Sequence, residues 1–175
     1  MEHLVLVRPD SLHKARYEEM MDEWERYGGR INPGALRRVS GTNGETAPFE
    51  RWLAWVKEDV CADGRSPQHL FFLEDKTGRL LGAISIRPEL DDEMFLTGGH
   101  MGYGIRPSER RKGLATRMLA LAIPLARTYG ITRLLLTCDK DNTASARTIQ
   151  KNGGVLENEV PDEDGTLVQR YWIDL

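Results

Sequence analysis

Apolar positions along the chain recur at two periods, and their order outlines the fold. Leu4–Val7 is a short apolar run ended by Arg8-Pro9, which predicts a first strand. Asp10 or Ser11 can cap a following helix in which Leu12, Tyr17, Met20, Met21 and Trp24 form an apolar face, stopped by Gly28-Gly29. Residues 30–48 are rich in Gly, Asn, Pro, Ser and Thr and predict a loop. Its length marks either a lid or substrate-binding element or a plain surface excursion. Phe49, Trp52, Leu53, Val56 and Val60 return to helical spacing. Residues 70–73 and 80–86 read as a strand pair turned at Asp75-Lys-Thr-Gly78.

A strand over residues 100–106 contains Gly102 and Gly104, which predict a bulge or a close ligand approach. The helix after it places Leu114, Met118, Leu121, Leu125 and Tyr129 on one face, with Pro124 expected to kink it. Residues 134–138 are a buried strand, Asn142 caps a further helix, and Gly153 or Gly154 stops it. Residues 155–160 and 167–173 predict paired strands around Asp162-Glu-Asp-Gly165. The resulting order, β-α-α-β-β-β-α-β-α-β-β over residues 1–175, is that of one α/β domain.

Composition narrows the function classes. The chain is 40% hydrophobic and 29% charged with a net charge of −3, ordinary for a globular protein and too acidic for a general nucleic-acid binder. Cys61 and Cys138 stand far apart, so neither a disulfide framework nor a zinc site is expected, and a reducing cytoplasm is the natural setting. No apolar run reaches the length of a membrane span, and no secretion signal is apparent at the start.

Against that background residues 106–117 are unusual, because Arg106, Arg110, Arg111, Lys112 and Arg117 face one carboxylate, Glu109. The segment runs from a strand through a glycine-containing turn into a helix. Amides at a helix start lack partners and carry the positive end of the dipole, so this order of parts suits a phosphorylated ligand. Gly113 lets the backbone approach such a ligand without a Cβ. A Walker A loop is excluded because Leu114 and Ala115 follow Gly113. A dinucleotide fingerprint is excluded because Pro107 occupies the third glycine place. Arg110-x-x-Gly113-x-Ala115 instead matches Gln/Arg-x-x-Gly-x-Gly/Ala, and Asn142-x-x-Ser145 followed by Lys151 and Gly153 forms a second signature downstream.

In these two signatures the chain resembles the GNAT superfamily of acetyl-CoA-dependent N-acetyltransferases. The resemblance spans residues 3–173, with its specific motifs inside 98–154. It implies a mixed, mostly antiparallel sheet flanked by helices, whose central strands splay to admit the pantetheine arm of acetyl-CoA. The implied cofactor contacts are the amides of Arg111, Lys112, Gly113, Leu114, Ala115 and Thr116 on the diphosphate, with the Thr116 hydroxyl and Arg110 beside them. The resemblance also assigns backbone near Tyr103 and Ile105 to pantetheine and the thioester, Asn142 to the pantetheine arm and Ser145 to the vicinity of the phosphates. Capping alone also explains Asn142.

Proton handling departs from the family pattern. The place of the tyrosine acid that many relatives carry is Ile149, and that of a glutamate base on the strand is Gly99. His100, beside it, is the candidate base, since an unperturbed pKa of about 6.5 suits amine deprotonation. A strand histidine satisfied by the backbone is the competing reading. Tyr103 is the candidate acid, and water relay without a dedicated residue is a third course. Cys138 as an acetylated nucleophile is weighed against a buried structural thiol. The run Glu89, Asp91, Asp92 and Glu93 is read as a solvated loop or as a lure for a cationic amine. The expected activity is acetyl transfer to a primary amine by direct attack in a ternary complex, with no metal, nucleic acid or membrane. A small acceptor is preferred over a protein side chain or terminus, and a homodimer is a family-level expectation. A CoA-binding module without catalysis is the alternative.

Overall fold

The computed structural model describes residues 3–37, 48–58 and 67–175. The expected Val60, Cys61 and most of the 30–48 loop lie outside the described residues. Four strands, β1 (Leu4–Val7), β2 (His69–Asp75), β3 (Leu80–Ile86) and β4 (Met101–Ile105), form an antiparallel sheet in chain order. Three more, β5 (Arg133–Asp139), β6 (Val155–Pro161) and β7 (Leu167–Asp174), form a second antiparallel sheet in the order β5-β7-β6. The strands β4 and β5 are therefore facing edges, and the space between them is the cleft.

The first sheet is buried on both faces, because side chains alternate along a strand. Leu70 and Phe72 pack with Tyr17, Met20, Met21 and Trp24 of α1 (Lys14–Tyr27) and with Phe49, Trp52 and Val56 of α2 (Phe49–Lys57). Phe71, Leu73, Met101 and Ile105 pack on the other side with α3 (Leu114–Thr128), Ile149 of α4 (Thr143–Lys151) and the inner face of the second sheet. Asp10 does cap the entry to α1, accepting from the Leu12 amide at 2.8 Å, but through a 3-10 turn over Ser11–His13. Leu12 consequently leaves the helical face and stands 79% exposed.

Two details of α3 differ from the sequence expectation. The buried stripe is Leu114, Met118, Leu119, Ala122 and Ala126, while Leu121 faces outward. Small alanines pack inward because α3 lies close against the sheet, a contact that apolar spacing cannot reveal. The helix also runs continuously through Pro124, which is exposed on its outer side. The β3–β4 register is regular, so Gly102 and Gly104 mark no bulge. Close approach is their reason, and the approaching group is the chain itself. A Cβ on Gly104 would strike the Asn32 carbonyl and meet the Trp24 ring at 3.0 Å, and one on Gly102 would meet Asn32 Oδ1 at 3.1 Å. Gly104→Ala is expected to cost roughly 1–3 kcal/mol of stability through overpacking, measurable by thermal denaturation.

Candidate active site

The cleft is defined by which backbone groups the two edge strands leave unused. On β4, the Arg87 amide donates to His100 O at 2.7 Å and the Arg106 amide to Leu81 O at 2.9 Å. Hydrogen-bonded pairs alternate along an antiparallel ladder, so Met101, Tyr103 and Ile105 turn their amides and carbonyls away from β3, toward β5. On β5, the Leu175 amide donates to Thr132 O and the Lys140 amide to Leu167 O. Arg133, Leu135 and Thr137 therefore direct theirs toward β4.

His100 joins the two edges at one point. Its amide donates to Leu135 O at 2.8 Å, and its ring Nδ1 accepts from the Leu135 amide at 2.9 Å. The side chain thus takes the place of a backbone acceptor and ends the pairing. Beyond it, no backbone hydrogen bond joins Tyr103 or Ile105 to Thr137 among the described residues. Burial lowers the His100 pKa, outweighing a raising influence of the Leu135 backbone, and Arg87 nearby adds to the lowering. With Nδ1 accepting, a neutral ring carries its hydrogen on Nε2 and presents a donor there.

Tyr103 projects from β4 across the inner side of the cleft. Its hydroxyl lies 2.8 Å from Ser145 Oγ in the first turn of α4. Burial pushes its pKa up to about 12, against a smaller lowering by Ser145. The Cys138 thiol is pushed up to about 11 by burial, against a smaller lowering by Ser145, which makes it a poor nucleophile at neutral pH. Asn142 caps α4, its Oδ1 accepting from the Ser145 amide at 3.1 Å. Its Nδ2 is thereby left as the donor of that side chain. Ile149, at the place where the resemblance implies a tyrosine, is fully buried in the core.

The mouth of the cleft is the start of α3. Gly113 sits in the left-handed region at φ 75°, preceded by Arg111 at φ 61°. Among the described residues, no amide from Arg111 to Thr116 donates to a backbone carbonyl, and no side chain caps the helix. A Cβ placed on Gly113 would meet nothing within 4 Å. Six adjacent amides at the positive end of a fifteen-residue helix, with open space beside Gly113, fit an anionic group such as a diphosphate.

The basic residues around this turn are used differently from their appearance in sequence. Arg106 is buried and turned inward, with Nε donating to Glu23 at 2.9 Å, Nη2 to Glu19 at 3.0 Å and Nη1 to Leu80 O at 3.1 Å. The Ser108 amide donates to the second Glu23 oxygen at 2.7 Å. Arg110 donates to Ile105 O at 3.1 Å and lies over the Tyr27 ring, 4.8 Å from its centroid, with Trp24 at 5.7 Å. Lys112 pairs with Glu109 at 2.8 Å. These contacts hold the turn to α1. Sequence spacing missed the α1 partners because Glu19, Glu23, Trp24 and Tyr27 are some eighty residues away. Asn152 is a further residue it missed, donating to Thr116 O at 3.2 Å and Thr148 O at 2.9 Å, so that the end of α4 is tied to the first turn of α3.

A family model described as Acetyltransferase (GNAT) family matches residues 16–154, which takes in both edge strands, the α3 turn and α4. The chain belongs to the GNAT acetyltransferase family. No curated protein matches the sequence. Among solved structures, a GNAT acetyltransferase from Streptococcus pneumoniae is similar at TM-score 0.63 and 19% identity, covering 99% of this chain and 100% of that one. Salmonella typhimurium yncA, solved with its cofactor acetyl-CoA, is similar at TM-score 0.62 and 18% identity, covering 98% and 94%. A chimeric spermidine N-acetyltransferase SpeG from Vibrio cholerae is similar at TM-score 0.63 and 15% identity, covering 98% and 95%. These likenesses place the GNAT fold on the whole chain. Among the described residues, no helix is long and apolar enough to cross a membrane, and no three His, Cys, Asp or Glu side chains group to hold a metal ion.

Proposed function

We propose that this chain is an acetyl-CoA-dependent N-acetyltransferase in which a primary amine attacks directly within a ternary complex. The run of unpaired amides from Arg111 to Thr116, opening onto a cleft with unpaired strand edges, is the observation that carries this reading. Bound acetyl-CoA supplies an activated acetyl thioester and a thiolate leaving group. The amides of Arg111, Lys112, Gly113, Leu114, Ala115 and Thr116 hold the diphosphate, and Arg110 shapes their turn from behind. Backbone groups of Met101 and Tyr103, with the Ile105 amide, receive the pantetheine arm as an added strand, with Asn142 Nδ2 donating from the opposite wall.

Tyr103 holds the proton for the leaving sulfur. Its elevated pKa keeps the phenol protonated throughout the neutral range, as a general acid requires. The Leu135 hydrogen bond argues against His100 as the base, because the Nδ1 lone pair is engaged. We assign His100 to anchoring the cleft, and the amine's proton to water. The 30–37 segment lies over Gly102 and Gly104 of β4, which supports a small acceptor over a polypeptide. The free, buried Cys138 suits a reducing cytoplasm.

The test is release of free CoA from acetyl-CoA with a panel of primary amines. Spermidine belongs in the panel because SpeG acts on it, and amino acids and a lysine peptide complete it. Turnover with any small amine is the expected result, and tight binding with no turnover across the panel would favour the CoA-binding module. Tyr103→Phe is expected to lower kcat roughly 100-fold, with the KM for acetyl-CoA little changed.

A further inference from the structure

A phenol that gives up its proton inside a half-buried cleft leaves an oxygen that water stabilises poorly. Some neighbouring donor must therefore turn toward it. The only side chain hydrogen-bonded to Tyr103 Oη among the described residues is Ser145, at 2.8 Å. Ser145 sits in the first turn of α4, its amide fixed by Asn142 Oδ1 at 3.1 Å. The diphosphate site belongs to a different helix, α3, and the Ser145 hydroxyl is engaged by Tyr103 of β4.

We propose that Ser145 is a positioning residue for Tyr103, and not a phosphate contact. This inference rests on the reading of Tyr103 as proton donor. In the resting protein the Ser145 hydroxyl holds the phenol at a fixed place in the cleft. During transfer the Tyr103 O–H bond breaks as an S–H bond forms on the departing sulfur, and the Ser145 O–H donates to the phenol oxygen as its charge develops. Tyr103 then recovers a proton from water, which has received the one lost by the attacking amine. Protons balance over the cycle, and no other reactant is needed. The Asn142 cap adds precision, since it fixes the turn from which Ser145 reaches.

A double-mutant cycle in kcat, with the KM for acetyl-CoA as second readout, tests this. Ser145→Ala is expected to lower kcat about tenfold, the scale of a hydrogen bond to a developing charge, with that KM within roughly twofold of the parent. Ser145→Thr, which keeps the hydroxyl, should restore most of the loss. In the Tyr103→Phe background Ser145→Ala should add nothing, because the group it positions is gone. A raised KM with kcat intact, or equal losses in both backgrounds, would overturn the role given to Ser145 while leaving Tyr103 as donor. Full kcat in Tyr103→Phe would instead overturn the donor reading itself. Thermal midpoints of all variants close to that of the parent accompany the expected result. Alanine is a strong helix former, and the Asn142 cap accepts from the residue 145 amide whatever the side chain, so α4 tolerates the change.

Discussion

Replacing Gly113 by glutamate is expected to weaken acetyl-CoA binding at least about 100-fold, the equivalent of roughly 2.7 kcal/mol, while the protein stays folded. Two effects combine. At φ 75° a non-glycine residue is strained by about 1–2 kcal/mol, and relief of that strain would turn neighbouring amides away from the ligand. The new carboxylate also projects into the space that a Gly113 Cβ finds empty, where it would stand against the diphosphate. Like charges some 4 Å apart repel by about 1–4 kcal/mol between bulk water and a protein surface. Gly113→Ala carries the strain without the charge and should lose far less. Titration calorimetry with acetyl-CoA, alongside a thermal melt, reads both variants. Unchanged affinity in the glutamate variant would move the diphosphate away from the α3 start and take the enzymatic reading with it.

Arg106→Met is expected to cause the largest loss of stability, roughly 3 kcal/mol, or about 6–12 °C in thermal midpoint for a chain of this size. The guanidinium is 2% exposed and joins β4 to α1 through Glu19 and Glu23 and to β3 through Leu80 O. Without it, Glu23 keeps the Ser108 amide but loses its countercharge, and the Leu80 carbonyl loses its donor. Glu19, more than half exposed, is rescued by water, so the loss stays near the low end for a broken buried pair. The effect depends on pH. Burial pushes the Glu23 carboxyl up, but hydrogen bonds from Arg106 and Ser108 outweigh this and bring it from 4.5 to about 2. A depressed carboxylate contributes stability that is present above its unfolded pKa and lost as pH falls through the folded one. The gap between parent and variant should therefore be full above about pH 5 and shrink as pH falls toward 2. A gap that stays constant over that window would show that Arg106 acts by packing alone.

The chemistry of the cleft became legible to different depths. The Arg110–Ala115 and Asn142–Gly153 signatures are local: a glycine with positive φ, a helix start and an Asn cap are fixed by residues a few positions apart. They are readable from the sequence as a turn suited to an anion and a capped helix. The partners of Arg106 and Arg110 are not, since a cation in sequence looks the same whether it meets a ligand, a distant glutamate or an aromatic ring. His100 shows the same limit. Its closeness to the family's glutamate place suggested a base, yet the tertiary structure commits its Nδ1 to the Leu135 amide.

By itself the sequence determined the elements, their order and the turn that offers six amides to an anion. These follow from periodicity and backbone preference, which act over one or two turns of chain. Only the tertiary structure decided that His100 ends the pairing of β4 with β5, that the α3 turn is braced on α1, and that Tyr103, Ser145 and Cys138 meet in the cleft. Those contacts join residues tens of positions apart. Their partners are selected by packing and by the need to satisfy buried polar groups, which no local pattern records.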